Sequence, residues 1–275
     1  MPASSTERPA VPTSLPAAVT IEPITAFKDN YIWCIRAGGR AVVVDPGEAA
    51  PVLAALQAAG LRLTGILLTH HHADHIGGVA ELVRTLGPVP VYGPADDRIT
   101  EATVRVRDGD RLVLDALCDD GLAFDVLEVP GHTSSHVAFH GHGTLFSGDT
   151  LFSVGCGRMF EGTPPQMSAS LDRLAALPAE TLVFCGHEYT AANIAFARAV
   201  EPDNAAIDEW ARAVEALRSC GRPSLPSTLR TEVATNPFLR CAEPAVAAAA
   251  AAHAGRALSG PVEVFAELRV WKNTF

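Results

Sequence analysis

At 275 residues the chain is long enough for one large domain, or for a medium domain with a small companion. Apolar residues make up 48% of it and charged residues 19%, a balance that excludes a natively disordered protein. The formal charge of −10 excludes non-specific nucleic-acid binding, which needs a basic excess to neutralise phosphates, and makes any local cluster of Arg and Lys conspicuous.

Residues 1–18 carry three prolines before Leu15 and two charges, with neither an apolar signal core nor an Arg-rich amphipathic pattern. They are expected to form a disordered tail. Strand and helix signals then alternate. Ala41–Val44 is a β-branched run ending at the turn Asp45-Pro46-Gly47, and Val52–Ala59 has helical composition up to Gly60. Ile66–Leu68 reads as a buried strand and Val79–Thr85 as a helix stopped by Gly87-Pro88. Further strands are expected at Val89–Tyr92, Phe124–Val129, His136–His140, Thr144–Phe146 and Leu182–Cys185. This alternation predicts an α/β catalytic domain over residues 19–190.

Beyond Tyr189 the texture turns helical, with Ala191–Val200, Ala205–Ser219 and Ala245–Ala254, so residues 191–275 are expected to form a small helical domain reaching to about 265, followed by a short charged strip. No segment reaches about 18 consecutive apolar residues, so no membrane span is expected. The six cysteines include no C-x-x-C pair, which argues against a disulfide framework or a thiolate zinc finger and for a reducing, cytoplasmic compartment.

Four polar motifs follow directly on buried strands, where a rigid sheet can aim loop side chains at one point. Ile66–Leu68 leads into Thr69-His70-His71-His72-Ala73-Asp74-His75-Ile76-Gly77-Gly78. The other three are Pro130-Gly131-His132-Thr133, Gly148-Asp149-Thr150 and Gly186-His187-Glu188-Tyr189. In an extended segment His70 and His72 point the same way and His71 oppositely, while Asp74 and His75 open the next helix. One stretch can therefore offer two imidazoles to one metal ion, and a carboxylate with an imidazole to a neighbour. Three adjacent histidines alone also fit incidental surface polarity, and His132, Asp149 or His187 taken singly would fit a hydrogen-bonded structural role. Their shared position after strands points instead to a dinuclear site.

With these motifs in hand, the chain from about Ile24 to Phe275 resembles the metallo-β-lactamase superfamily and, within it, the hydroxyacylglutathione hydrolase (glyoxalase II) family. Ala26-Phe27-Lys28-Asp29-Asn30-Tyr31-Ile32-Trp33 and Val44-Asp45-Pro46-Gly47 add to the likeness. The resemblance implies an αββα sandwich followed by helices. It implies one metal held by His70, His72 and His132, and a second by Asp74, His75 and His187, with Asp149 bridging them. Asp74 is also a candidate proton acceptor. Mixed imidazole and carboxylate ligands suit two divalent ions, zinc first, with iron or manganese as alternatives.

Segments 155–163, 236–240 and 268–272 resemble the family's glutathione-recognition elements. The likeness implies that Arg158, Tyr189, Arg269 and Lys272 contact the glutathione moiety and that Phe160 packs beside it, since guanidinium and ammonium groups recognise carboxylates well. The implied reaction is hydrolysis of S-D-lactoylglutathione, or a similar 2-hydroxyacyl thioester, to glutathione and D-lactate by water activated between the metals, the second step of methylglyoxal detoxification. The expected partner is thus a small glutathione thioester met by a monomer, with neither nucleic acid nor membrane involved. Two departures bear on affinity: Phe160 stands where some members have tyrosine, and Asn273 where an acidic residue is common.

Rivals are a mononuclear-iron persulfide dioxygenase of the same superfamily, a lactone or β-lactam hydrolase, and a non-catalytic metal-binding protein. Among the remaining histidines, His71 is assigned a structural hydrogen bond and His136 a place in a strand with one option behind the metals. His140, His142 and His253 are read as exposed. Cys156 and Cys185 adjoin motif residues but have no base beside them in sequence, so neither is read as a nucleophile.

Overall fold

The computed structural model describes residues 14–118 and 121–275. Two six-stranded sheets face one another. The first runs in order β1 (Val19–Ala26), β2 (Asn30–Ala37), β3 (Arg40–Val44), β4 (Arg62–Leu67), β5 (Val91–Pro94) and β6 (Val104–Val106), antiparallel as far as β3 and parallel from there. The second contains β7 (Arg111–Val113), β8 (Ala123–Glu128), β9 (Val137–Gly141), β10 (Thr144–Gly148), β13 (Leu182–Cys185) and β14 (Ser227–Thr228), with only β10 and β13 parallel. Between β10 and β13 lies a hairpin of β11 (Leu151–Phe152) and β12 (Gly155–Cys156).

Three apolar layers hold this together. Trp33, Ile35, Val42 and Leu67 of the first sheet meet Phe124, Val126, Phe139 and Phe184 of the second, forming the inner core. Alternate residues of the first sheet, among them Ile32, Val43 and Ile66, face outwards onto helices α1 (Ala49–Ala59) and α3 (Val79–Leu86) through Val52, Leu56 and Leu82. Both faces of its central strands are covered, which is why they read as near-continuous apolar runs. On the far side Ala138, Leu145 and Val183 pack beneath α4 (Pro164–Ala175), α5 (Thr190–Val200), α8 (Pro244–Ala254) and α9 (Pro261–Thr274) through Leu171, Phe196, Ala250 and Phe265. The result is the αββα sandwich with appended helices. Helices α2 (Ala73–Ile76), α6 (Ala205–Ser219) and α7 (Leu229–Thr235) complete the α-helices among the described residues.

Several expectations change. Of the tail, residues 1–13 lie outside the described residues; Leu15 already packs against the inner core and the Ser14 carbonyl meets His142 Nδ1 at 3.2 Å. The expected charged strip after 265 is the body of α9, anchored by buried Val264, Phe265, Leu268 and Arg269. Helix α4 falls in a stretch to which no element is assigned from sequence. Here proline occupies the first turn, where its missing N–H costs nothing, and Thr163 with Gln166 forms a capping box. His142 is buried rather than exposed, its Nε2 accepting the Ala123 amide at 3.1 Å.

Candidate metal centre

The ends of β4, β8, β10 and β13 deliver the four motifs to one edge of the sandwich. After β4 the chain stays extended through His72, which caps α2 with φ −62° and ψ 143°, so alternation sends His70 and His72 to the same side. Their rings lie 4.7 Å apart, and His132 closes the group with ring centroids 4.9 Å from His70 and 4.7 Å from His72. Candidate ligand atoms of His70, His72 and His132 fall within 4.8 Å of one another, as do those of Asp74, His75 and His187. Asp149 stands between the groups: Oδ2 lies 3.6 Å from His132 Nε2 and 3.3 Å from His187 Nε2, and Oδ1 lies 3.3 Å from His75 Nε2. All seven sequence-predicted ligands therefore come together.

Hydrogen bonds behind the rings select the nitrogen that each presents. His132 Nδ1–H donates to the Arg158 carbonyl at 2.8 Å, His187 Nδ1–H to Asp29 Oδ1 at 2.9 Å, and His75 Nδ1–H to Asp45 Oδ2 at 3.0 Å. Thr69 Oγ donates to Asp45 Oδ2 at 2.7 Å and faces His70 Nδ1 at 3.0 Å. Each ring so held turns Nε2 inwards. His72 differs, since its Nδ1 faces His132 Nε2 at 2.9 Å. Behind the cluster, His136 is fully buried and its Nε2 accepts the Asp149 amide at 3.1 Å.

The cluster fits a pair of cations. His70 Nε2, His75 Nε2 and Asp149 Oδ1 are buried with no hydrogen-bond partner among the described residues, which a protein rarely tolerates unless something binds there. Charge divides the groups. Burial keeps His70 neutral well below its ordinary value and pushes His72 down to about 4, and His132 is lowered for the same reason. Burial also opposes charge on His187, but Asp149 and Asp74 outweigh it and push the imidazole up to about 10. His75 is raised likewise by Asp149 and Asp45. Burial opposes the ionised Asp149 carboxylate too, yet His75 and His187 hold it well below the usual range. The first group is thus a neutral triad of donors, while protons on His75 and His187 occupy the side that a cation would take, so binding there releases them. Glycine lets the elements close in: a Cβ at Gly186 would stand 2.7 Å from both Asp149 Oδ1 and His75 Cε1.

Two supporting carboxylates, Asp29 and Asp45, were not singled out from sequence. Each sits in a quoted motif, but only the fold reveals what it faces. Asp45, with φ 52°, also accepts the Thr69 amide at 2.7 Å, so its carboxylate is fully occupied as an orienter of ligands. The His71 side chain makes no conventional hydrogen bond among the described residues; its ring nitrogens face Asp96 at 3.7 Å and Glu161 at 3.6 Å.

One cavity of about 620 Å³ opens over the cluster, lined by His72, Asp74, His132, Asp149 and His187 and by all five predicted substrate residues. Tyr189 stacks on His187 at 4.7 Å and 4°, and Phe160, 64% exposed, sets its ring edge-on to His72 and His132. Arg158 is exposed. Arg269 is buried and pins α9 to the hairpin, donating to the Cys156 carbonyl at 2.9 Å and to Asn273 Oδ1 at 3.2 Å, with no partner for Nε among the described residues. Lys272 Nζ donates to the Ala192 carbonyl at 3.0 Å; burial, and then Arg269, push it down to about 8.

The layered fold and its strand-end cluster define a metallo-β-lactamase scaffold, and residues 27–187 match the family model for the metallo-beta-lactamase superfamily. Residues 188–275 match the model for the hydroxyacylglutathione hydrolase C-terminus. A hydroxyacylglutathione hydrolase of Xanthomonas campestris pv. campestris (strain B100) is 59% identical over 253 residues, covering 92% of this chain and 97% of that protein. The chain belongs to the hydroxyacylglutathione hydrolase family. Among solved structures, TTHA1623 in a di-iron-bound form is 35% identical with a TM-score of 0.51, covering 60% of this chain and 91% of its own. The BLEG-1 B3 metallo-beta-lactamase, 24% identical with a TM-score of 0.58, covers 80% of this chain and 99% of its own and shares the fold.

Proposed function

We propose that the chain hydrolyses 2-hydroxyacyl thioesters of glutathione, S-D-lactoylglutathione first among them, to glutathione and the free hydroxy acid. One observation carries this reading: candidate ligands and a basic set of Arg158, Arg269 and Lys272 line the same cavity, in a chain whose net charge is −10. His70, His72 and His132 would hold one divalent ion and Asp74, His75 and His187 the other, with Asp149 shared. Bound there, two such ions would supply Lewis acidity, of the kind that lowers the pKa of bound water and polarises a thioester carbonyl. Zinc suits these donors best, and iron or manganese also fit.

The chain's own side chains do the rest. The guanidinium and ammonium groups attract the two carboxylates of glutathione and fix the thioester's direction. Phe160 and the Tyr189–His187 stack form flat walls on either side of the ligands. Asp74, its side chain 41% exposed and steadied by Asn30 Nδ2 at 3.1 Å, is placed to take a proton from the attacking water. The departing thiolate, with a free-thiol pKa of about 8.5, needs no strong general acid. A second carboxylate-bearing ligand group and the C-terminal helix with its two basic residues favour hydrolysis over the one-iron dioxygenase.

Residues 19–190 supply the reacting centre in this reading, and residues 191–275 the substrate-binding helices. The cluster is complete within one chain, which supports a monomer. Six cysteines with no C-x-x-C pair support a cytoplasmic setting, and no helix among the described residues is long and apolar enough to cross a membrane. Purified protein, assayed for thiol release from S-D-lactoylglutathione, tests the proposal; protein that holds metal yet leaves the thioester intact refutes it.

A further inference from the structure

Four segments distant in sequence meet beside the first histidine group: His71, the turn after β5 with Asp96 and Arg98, the turn before β9 with Ser134 and Ser135, and the loop 157–163 between β12 and α4. Arg98 lies at the centre. Its guanidinium grips Asp96 through Nε at 2.8 Å and Nη2 at 2.7 Å, and reaches Glu161 through Nη1 and, at 3.2 Å, Nη2. Glu161 Oε2 also accepts the Ser134 amide and hydroxyl, each at 2.8 Å, while Asp96 Oδ2 accepts the Ser135 hydroxyl at 2.5 Å. Asp96 is buried, so the floor of this cage is shielded from solvent although Arg98 is half exposed.

Glu161 is flanked by residues that the proposed function uses. Backbone bonds run from Phe160 N to the His132 carbonyl and from Gly162 N to the Gly131 carbonyl, both at 3.1 Å. They lay the loop alongside the His132 turn. Its outer edge is tied by the Glu161 side chain. His71, between two candidate ligands, turns its ring to the same two carboxylates. The loop that presents Arg158 and Phe160 and the segment that presents His70 and His72 thus share one anchor.

We propose that Arg98 and Glu161 are positioning residues for substrate binding: their contact holds the Arg158–Phe160 loop at the height where it meets the glutathione part of the substrate. The inference rests on the function proposed above. An exposed ion pair is worth little, but a guanidinium forked between two carboxylates adds direction, and direction is what a binding loop needs.

The test uses metal-loaded full-length enzyme and the variants Arg98→Ala, Glu161→Gln and the double variant, with Arg98→Lys as a milder replacement should Arg98→Ala not fold. In the single variants KM for the glutathione thioester rises roughly tenfold, kcat stays within about twofold and metal per chain is unchanged. The double variant is no worse than the singles, because one contact is lost once. The same acyl group on N-acetylcysteamine, which lacks the glutathione carboxylates, is cleaved equally by all. Amide exchange at Phe160 and Gly162 accelerates about tenfold, a readout independent of any substrate. Unchanged KM and unchanged exchange in a folded variant overturn the inference, as do additive effects or a fall in kcat with metal loss. Wild-type protein inert towards the glutathione thioester refutes the function instead, and the exchange data then still decide whether the anchor exists.

Discussion

Replacing Gly186 by alanine would place a methyl group at the centre of the cluster. The added Cβ stands 2.7 Å from Asp149 Oδ1 and 2.7 Å from His75 Cε1, whereas ordinary contact begins at 3.4 Å. A gap of about 0.7 Å must open against two buried side chains whose backbones are fixed by β10 and α2, while metal–ligand distances tolerate only about ±0.2 Å. The displacement strikes the bridging residue and one ligand of the second group and leaves the His70, His72 and His132 triad alone. The expected outcome is a protein of near wild-type fold that keeps one ion per chain and binds the second about 10–100-fold more weakly, with activity falling in step. Elemental analysis after equilibrium dialysis reads this directly. Wild-type affinity for two ions would refute the assignment of Asp149 and His75 to a shared centre.

Lys272, lowered to about 8 by burial and then by Arg269, is charged below that pH and neutral above it, whereas the substrate's carboxylates stay ionised throughout. kcat/KM for the glutathione thioester therefore declines as pH rises through about 8 in wild type, and Lys272→Met removes that limb of the profile. Arg269→Met loses both substrate contact and the bond to the Cys156 carbonyl, so KM rises by about 10–100-fold, the value of a charged hydrogen bond. Glu232 is fully buried, accepting from Val154 N at 2.7 Å and Asn236 Nδ2 at 3.2 Å, and burial raises its carboxyl from 4.5 to about 7. A raised acid favours the protonated folded state, so the contribution of Glu232 to stability is greatest below pH 4.5, falls by up to about 3 kcal/mol on the way to pH 7 and is flat above. Denaturant midpoints of wild type and Glu232→Gln across that range check this contribution, which appears as the difference between the two slopes.

Much of the centre was legible in the sequence because it obeys local rules. Alternation along an extended segment fixes which of His70, His71 and His72 share a side, and apolar runs mark the strands whose ends deliver His132, Asp149 and His187. Elements that escaped are those whose signal is carried elsewhere. β1 buries only its two ends, Val19 and Ala26, so it shows no clean apolar run. The Pro164-Pro165 start of α4 marks a helix only once its capping box is recognised. The last helix hides its apolar stripe among Glu263, Glu267, Arg269 and Lys272. Asp29, Asp45 and Arg98 could not be assigned from spacing at all, since each acts on a residue from a distant segment. The family resemblance implies that Arg269 contacts the glutathione moiety. It is also a structural pin, and Asn273, which departs from the family's usual acidic residue, supplies the oxygen that accepts from it.

The most direct test of the account is a metal titration of stripped protein, with thiol release from S-D-lactoylglutathione followed at each step. Activity that climbs to a plateau at two ions per chain is the predicted result. A plateau at one ion, or no thiol release at any stoichiometry, would contradict it.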